Sequence, residues 1–315
     1  MKTKAFIYII LAGVLWGTSG IFVGFLAPYG FTSLQMTSVR ATVSFIFMLA
    51  YVLITDRSLF RVKPLHLLLF AGAGVSLFLT ASLYYHAMQM TSVSTAVMLL
   101  YMSPIYITAY SCLFLGEKLT RTKVIAIAAM LVGCALVSGV IGGLRFDAVG
   151  MLLGVLSGFT YTAYNVLIKI SLQRGTRPVS VTVYSFAIMA LISVFVIEPI
   201  SFFESVSKNP SLTVPLLIGL GICTFIIPYF LYALAMRDLS AGTASALSIV
   251  EPMSATLFSV MIFDEKLDPL AIVGIVIILA AIFVIGKSES CDAGEEVEVD
   301  DENVKATEKS TSRQG

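Results

Sequence analysis

Long apolar blocks alternate with short polar connections from one end of the chain almost to the other. Ten blocks stand out, at Ala5–Ala27, Ser33–Ile54, His66–Met88, Ser92–Leu115, Thr122–Val140, Ala148–Ile168, Val179–Ile197, Leu212–Met236, Ala241–Phe263 and Pro269–Gly286. A helix needs roughly 20 apolar residues to cross a hydrocarbon core of about 30 Å, and the blocks have that length. The apolar residues run on without alternating, whereas barrel strands would be shorter and would alternate. The pattern predicts an all-α integral membrane protein with ten transmembrane helices. Short connections make sequential helices antiparallel neighbours.

The polar connections set the orientation. With the N-terminus inside, the inner segments hold Lys2, Lys4, Arg57, Arg61, Lys63, Lys118, Arg121, Lys123, Lys169, Arg174, Arg177, Arg237 and Lys287, and the outer ones only Arg145, Lys208 and Lys266. Cationic residues favour the cytoplasmic side, so both termini are expected in the cytoplasm and the chain in the plasma membrane. The opening "MKTKAFIYIILAGVLWG" has a basic start like a signal peptide. Its apolar stretch is too long, however, and further spans follow. Past Gly286 the chain turns polar, acidic in its middle and free of aromatics, as expected of a disordered cytoplasmic tail. Composition agrees: 58% of residues are hydrophobic and 12% charged. Soluble domains have about 25% charged residues. No basic cluster interleaved with aromatics points to nucleic acid. Cys112, Cys134, Cys223 and Cys291 form no Cys-x-x-Cys pair and read as small apolar fillers or tail residues.

The chain also repeats itself. "LYYHAMQMTSVSTAVMLLYMSPIYITAYSCLFLGEKL" from Leu83 aligns without a gap on "LYALAMRDLSAGTASALSIVEPMSATLFSVMIFDEKL" from Leu231. Tyr84 matches Tyr232, Ser92 matches Ser240, and Pro104 matches Pro252. About a third of positions agree, high for two apolar stretches. "GVLWG" at Gly13 and "GVLSG" at Gly154 mark the matching starts. Residues 1–140 and 147–286 are therefore read as two five-helix repeats, with 287–315 as the tail. Five is odd, so the second repeat enters the membrane from the opposite side, the inverted arrangement of many secondary transporters.

These repeats, each closing on "GEKL" or "DEKL" before a Gly-containing last helix, resemble the EamA-type repeats of the drug/metabolite transporter superfamily. "LWGTSG", "MTSVSTA" and the "SP" and "EP" of the fourth and ninth blocks fit the same pattern, and the likeness extends to Gly286. It implies a bundle in which the first four helices of each repeat surround a central cavity and the fifth packs outside. The family moves amino acids, nucleotide sugars, drugs and other metabolites. Several members are exporters, and some have been proposed to be proton-coupled.

Glu251, in "SIVEP", is the chemically conspicuous residue. A carboxylate at the centre of a spanning helix costs roughly 3 kcal/mol on insertion scales. Its repeat partner is Ser103, so the halves share the proline but not the acid. Pro104 and Pro252 each remove a backbone donor and loosen a helix near its middle, freeing carbonyls toward a cavity. Two roles fit Glu251: it binds a cationic group or carries an exchanged proton, or it pairs with Arg40 and locks helices together. Arg40, nearer the outer end, could neutralise Glu251, hold a substrate carboxylate, or snorkel to the headgroups. An Arg and a Glu on one cavity would suit a zwitterion. Trp16, Tyr84 and its mate Tyr232 are the foremost candidates for the cavity wall, in a wider set that includes Tyr85, Tyr101, Tyr161, Tyr164, Asn165 and Tyr229. His86 reads as interfacial. The glycines of "AGAGVS" from Ala71, and Gly20 with Gly24, read as sites of close helix approach.

No nucleotide-binding Gly-x-x-x-x-Gly-Lys motif, His-Glu-x-x-His or nucleophile–base pair is present, so no cofactor, metal or enzymatic activity is expected. The expectation is a secondary transporter exporting a small polar metabolite such as an amino acid. Its partners are that solute and the bilayer, with proton coupling as one option. A channel-like facilitator is the alternative, and a membrane-embedded enzyme the weaker one.

Overall fold

The computed structural model describes residues 2–116, 119–139, 147–264 and 268–285, and all regular structure among them is helical. Eight helices are long and apolar enough to cross a bilayer: Thr3–Tyr29, Ser33–Thr55, Pro64–Met90, Thr95–Phe114, Ala148–Gln173, Pro178–Val196, Pro210–Asp238 and Ala241–Phe263. The helix Arg121–Val137 and the shorter apolar helix Pro269–Ile285 take the fifth and tenth places. The architecture is thus the predicted one of five helices followed by five. The tail expected at 287–315, Arg145, and the Glu-Lys pairs at 117–118 and 265–266 lie outside the described residues.

Local chemistry starts the helices where the apolar blocks begin. Thr32 and Gln35 form a reciprocal capping box at the second span. The side chains of Ser92, Thr120, Asp147 and Ser240 each accept from a backbone N–H three residues on. Each such cap typically contributes about 1 kcal/mol. Proline opens the third, seventh and eighth spans, at a position whose N–H has no helical partner anyway. One element was not expected. The short helix Pro199–Ser207 lies in the connection after the seventh span. It clasps the start of the second span: Phe202 packs on Phe31 at 5.8 Å, and Gln35 donates to Ser201 at 2.9 Å.

Between helices in lipid, packing replaces the hydrophobic effect as the main attraction, and small residues let backbones approach. Gly13 and Gly17 do this for the first and ninth spans. A methyl group on Gly17 would stand 2.7 Å from Ser254 Cβ and 2.8 Å from the Ala255 nitrogen. Gly74 fits against Ser185 and Ile188 of the seventh span. Gly133 and Gly274 bring the fifth and tenth helices together in the same way. Gly24 meets Phe263. Gly20 differs from its expected role: nothing lies within 4 Å of where its Cβ would be, because it faces a cavity. The outer faces, with residues such as Ile54 and Phe195, are apolar and uncovered as lipid requires.

The fourth and ninth spans are both broken. The fourth is helical over Val93–Leu100 and again over Ser103–Phe114; the ninth over Ala241–Leu247 and again over Val250–Phe263. At each break the backbone tightens to bonds between residues three apart, Met102 N to Leu99 O and Ile249 N to Ala246 O. Pro104 and Pro252 follow within a few residues and have no N–H to restore the regular ladder. The two spans run antiparallel, so the second half of the fourth lies along the first half of the ninth. There they pack tightly, with Gly242 against Thr108. At the other end Val93–Leu100 and Val250–Phe263 are held apart by the cavity.

Candidate functional site: a polar cavity between the repeats

The gap between those splayed halves is a cavity of about 550 Å³. Its lining runs from Ser33 and Val93, the first residues of their helices, down to Tyr161 and to Tyr101 and Glu251 at the helix breaks. Of the helix Ser103–Phe114 only Ser103 reaches it, and Ala241–Leu247 contributes nothing. The cavity therefore belongs to one end of the bundle.

The break in the ninth span places Glu251 in the cavity wall. Its carboxylate does not pair with Arg40: among the described residues no ion pair joins the two. Instead Tyr101 donates its hydroxyl to Glu251 Oε2 at 2.7 Å. Tyr101 stands at the break of the fourth span, so this bond ties one repeat's break to the other's. Sequence reasoning placed Tyr101 in the wider aromatic set without giving it this role. The signal was available in the register: Tyr101 is three residues ahead of Pro104, and Glu251 is the residue before Pro252.

Arg40 also lines the cavity. Its Nη2 donates to Thr37 Oγ1 at 3.0 Å, and its guanidinium carbon lies 5.3 Å from the Phe225 ring centroid, a cation–π distance. Its Nε is buried without an acceptor. Trp16 is in the wall too, only 6% exposed, and its indole N–H is likewise buried without an acceptor. Tyr229 meets Trp16 edge-on at 5.1 Å.

The other candidates divide. Tyr84 and Pro252 line the cavity. Tyr232, the repeat mate of Tyr84, does not: it is fully buried and packs behind Trp16 with ring centroids 5.5 Å apart. Its hydroxyl donates to Asn165, whose amide in turn donates to the Tyr161 carbonyl at 2.7 Å. Tyr232 thus holds Trp16 in place from the rear. Pro104 is buried outside the lining, where it shapes the break. His86 is exposed, in keeping with the interfacial reading.

The opposite end of the bundle is sealed by polar contacts. Lys169 was counted with the flanking charges, but its helix continues to Gln173 and the residue is 8% exposed. Its ammonium donates to the carbonyls of Met236 and Leu239, at the C-terminal end of the eighth span. These are carbonyls a helix end leaves without partners, and a cation suits the dipole there. Lys123 is also buried and donates to Ser240 Oγ at 2.6 Å. At the rim, Arg177 pairs with Asp56 at 2.7 Å. Two hydrogen bonds from Ser58 and the Arg177 guanidinium hold the Asp56 carboxyl below the usual carboxylate range.

The sequence profile of the EamA-like transporter family matches residues 3–139 and again 148–287. The chain belongs to the EamA-like transporter family. Relatives of the EamA protein described here include a protein of Archaeoglobus fulgidus named an uncharacterized transporter. It is 30% identical over 278 residues, covering 88% of this chain and 94% of that one. The uncharacterized transporter YwfM of Bacillus subtilis is 26% identical over 284 residues, covering 89% and 92%. A solved structure, described only as the crystal structure of a protein, superposes with a TM-score of 0.73 at 19% identity over 90% of this chain and 96% of that one, which shows the shared fold. As an EamA protein the chain is a multi-pass membrane transporter by family.

Proposed function

We propose that this EamA protein is a secondary carrier that exports a small polar metabolite across the plasma membrane by alternating access. The observation that carries the reading is the asymmetric cavity, splayed open at one end and packed shut at the other, with a carboxylate where the two helix breaks meet. The excess of Lys and Arg at the closed end supports a cytoplasmic position for that end. On this reading the conformation is the outward-facing state of the cycle. Two oppositely oriented repeats supply the return state: rocking them would open the Thr108–Gly242 side and bring Val93–Leu100 onto Val250–Phe263. Glu251 receives a substrate amine or an exchanged proton, and Arg40, which forms no ion pair among the described residues, faces the substrate's negative end. An amino acid has both groups.

Extracellular metabolites from cells expressing the wild type or Glu251→Gln at matched protein levels test this reading. A compound released by the wild type and lost with Glu251→Gln is expected. Equal release by both would remove Glu251 from the pathway, and no difference from cells lacking the protein would overturn export.

A further inference from the structure

Several contacts between the repeats occur twice, once on each side of the internal symmetry. Gly17 of the first span packs on Ser254 of the ninth, where an added Cβ would stand 2.7 Å from the serine Cβ. The matching residues are Gly158 of the sixth span and Tyr106 of the fourth, and a Cβ on Gly158 would stand 3.3 Å from the Tyr106 ring. Gly30 and Gly175, both at positive φ, precede the second and seventh spans and set their register. In it Arg40 matches Ser185, Val43 matches Ile188 and Gln35 matches Ser180. Gly221 of the eighth span sits against the Arg40 carbonyl and Val43, and Gly74 of the third against the Ser185 carbonyl and Ile188. These two glycines correspond as well, ending "GAG" and "GLG". The eighth span has one residue more between Gly221 and Leu231 than the third has between Gly74 and Leu83, and the π-turn Ile222–Ile226 takes it up. The connections repeat too: Ser180 donates to the Leu59 carbonyl at 2.9 Å, and Gln35 to Ser201 at 2.9 Å.

The duplicated contacts cross from one repeat to the other. They put the first and second spans with the eighth and ninth, and the sixth and seventh with the third and fourth. Other contacts occur once. Thr108 meets Gly242 at the closed end, while its match Thr256 lines the cavity. Lys169 donates to the Met236 and Leu239 carbonyls, and its match is Pro28, which has no ammonium. Both single contacts join one group of four spans to the other. Equivalent halves in opposite orientation reach their second state by exchanging conformations. A contact present together with its match is then made in both states, and a contact present alone in one. Resting on the carrier reading above, we infer that the bodies that rock are not the two repeats but two composites: the first, second, eighth and ninth spans against the third, fourth, sixth and seventh. Arg40 and Glu251 ride on one composite and Tyr101 on the other, so the bond from Tyr101 to Glu251 crosses the boundary.

Four exposed positions separate the two divisions of the molecule: Ile54 on the second span, Leu113 on the fourth, Phe195 on the seventh and Met261 on the ninth. Each is replaced by cysteine, two at a time, in full-length protein whose four native cysteines are alanine, and spin-labelled. Pulsed electron paramagnetic resonance in liposomes then gives the distance within each pair, with no substrate needed. The pairs are measured with and without Lys169→Met, which removes a contact made in one state only and so populates the other. Ile54 with Met261 and Leu113 with Phe195 join different repeats inside one composite, and each should keep a single distance. Ile54 with Leu113 and Phe195 with Met261 lie inside one repeat and span the boundary, and each should show two distances several ångström apart. The reverse pattern, or two distances for every pair, would overturn the composites and leave the carrier. One distance for every pair in both backgrounds would remove alternating access, and the composites with it. Should the cysteine-free chain fail to fold, Phe25→Cys with Phe263→Cys serves in the native background. Their rings lie 5.7 Å apart on the first and ninth spans, and a bifunctional thiol reagent can bridge them. Bridging should leave metabolite release as it is in the single variants, and release lost on bridging would overturn the composites.

Discussion

The fourth and ninth spans are copies of one another in sequence, yet they treat their breaks differently. Both stop a turn early, tighten, and restart at a proline. In the fourth span the residue before the proline is the buried Ser103; in the ninth it is Glu251, held by a tyrosine from the other break. The backbone device is duplicated and the charge is added once. In the proposed cycle the pair of broken helices is the symmetric frame that opens either way, and a single carboxylate gives that frame one chemical address. The ends differ in a parallel fashion. Lys123 and Lys169 reinforce the closed end, while their repeat equivalents at the open end are Ala271 and Pro28, which have no ammonium.

The largest test of this contrast is Lys169→Met. It removes the ammonium from two helix-terminal carbonyls, at a cost on the order of 2–5 kcal/mol. Thermal unfolding should shift down clearly, and a Thr108→Cys reporter at the closed end should label faster in the same background. An unchanged labelling rate would mean that the lysine holds one repeat together without holding the end shut. Next comes the exchange of the two break residues, Ser103→Glu with Glu251→Ser, which preserves charge and moves it to the equivalent place. Transport should fall about thirtyfold, roughly 2 kcal/mol, because the Tyr101 hydroxyl is placed to hold a carboxylate at Glu251. Retained transport would show that the frame, not the position, is what counts.

Tyr101→Phe is milder. It removes one hydrogen bond to a carboxylate, about 1.5–3 kcal/mol in the static structure. Water from the cavity should replace part of it, so a several-fold change in flux is expected, together with a displaced pH profile. The same change in flux with an unmoved profile would separate Tyr101 from the protonation of Glu251. The smallest effect belongs to the rim. The Asp56 carboxyl has a folded-state value below its unfolded one, so its contribution is present above the unfolded value of about 3.9 and is lost as pH falls through the folded value. Because Asp56 is exposed, Asp56→Asn should barely move the midpoint of unfolding at neutral pH.

Much of the fold was legible because membrane constraints are severe. An apolar block of fixed length has one reading, and the gapless match from Leu83 to Leu231 announces the second copy of the first. Glu251 was legible for the same reason: a charge among apolar residues has nowhere to hide. What could not be read was rotation. In a span that is apolar all round, hydropathy does not say which side faces the lumen. Tyr84 and Tyr232 occupy equivalent positions, and one faces the cavity while the other is buried behind Trp16. For the same reason Arg40 and Glu251, opposite charges in two spans, invited a pairing that the structure does not show: Glu251 is bonded by Tyr101 instead. Lys169 was misplaced by length: its helix runs five residues past Ile168, from Lys169 to Gln173, and carries the cation inside.

The bond between Tyr101 and Glu251 has an electrical consequence. It lies where the two broken helices meet, and so at the axis about which the proposed halves would rock. A charge on a pivot traverses little of the transmembrane voltage, whereas a full crossing is worth about 2.3 kcal/mol per elementary charge per 100 mV. In the proposed cycle the Glu251 carboxylate itself would then cross little of the membrane potential. Current measured during turnover would then be the charge of the cargo and of any proton exchanged for it.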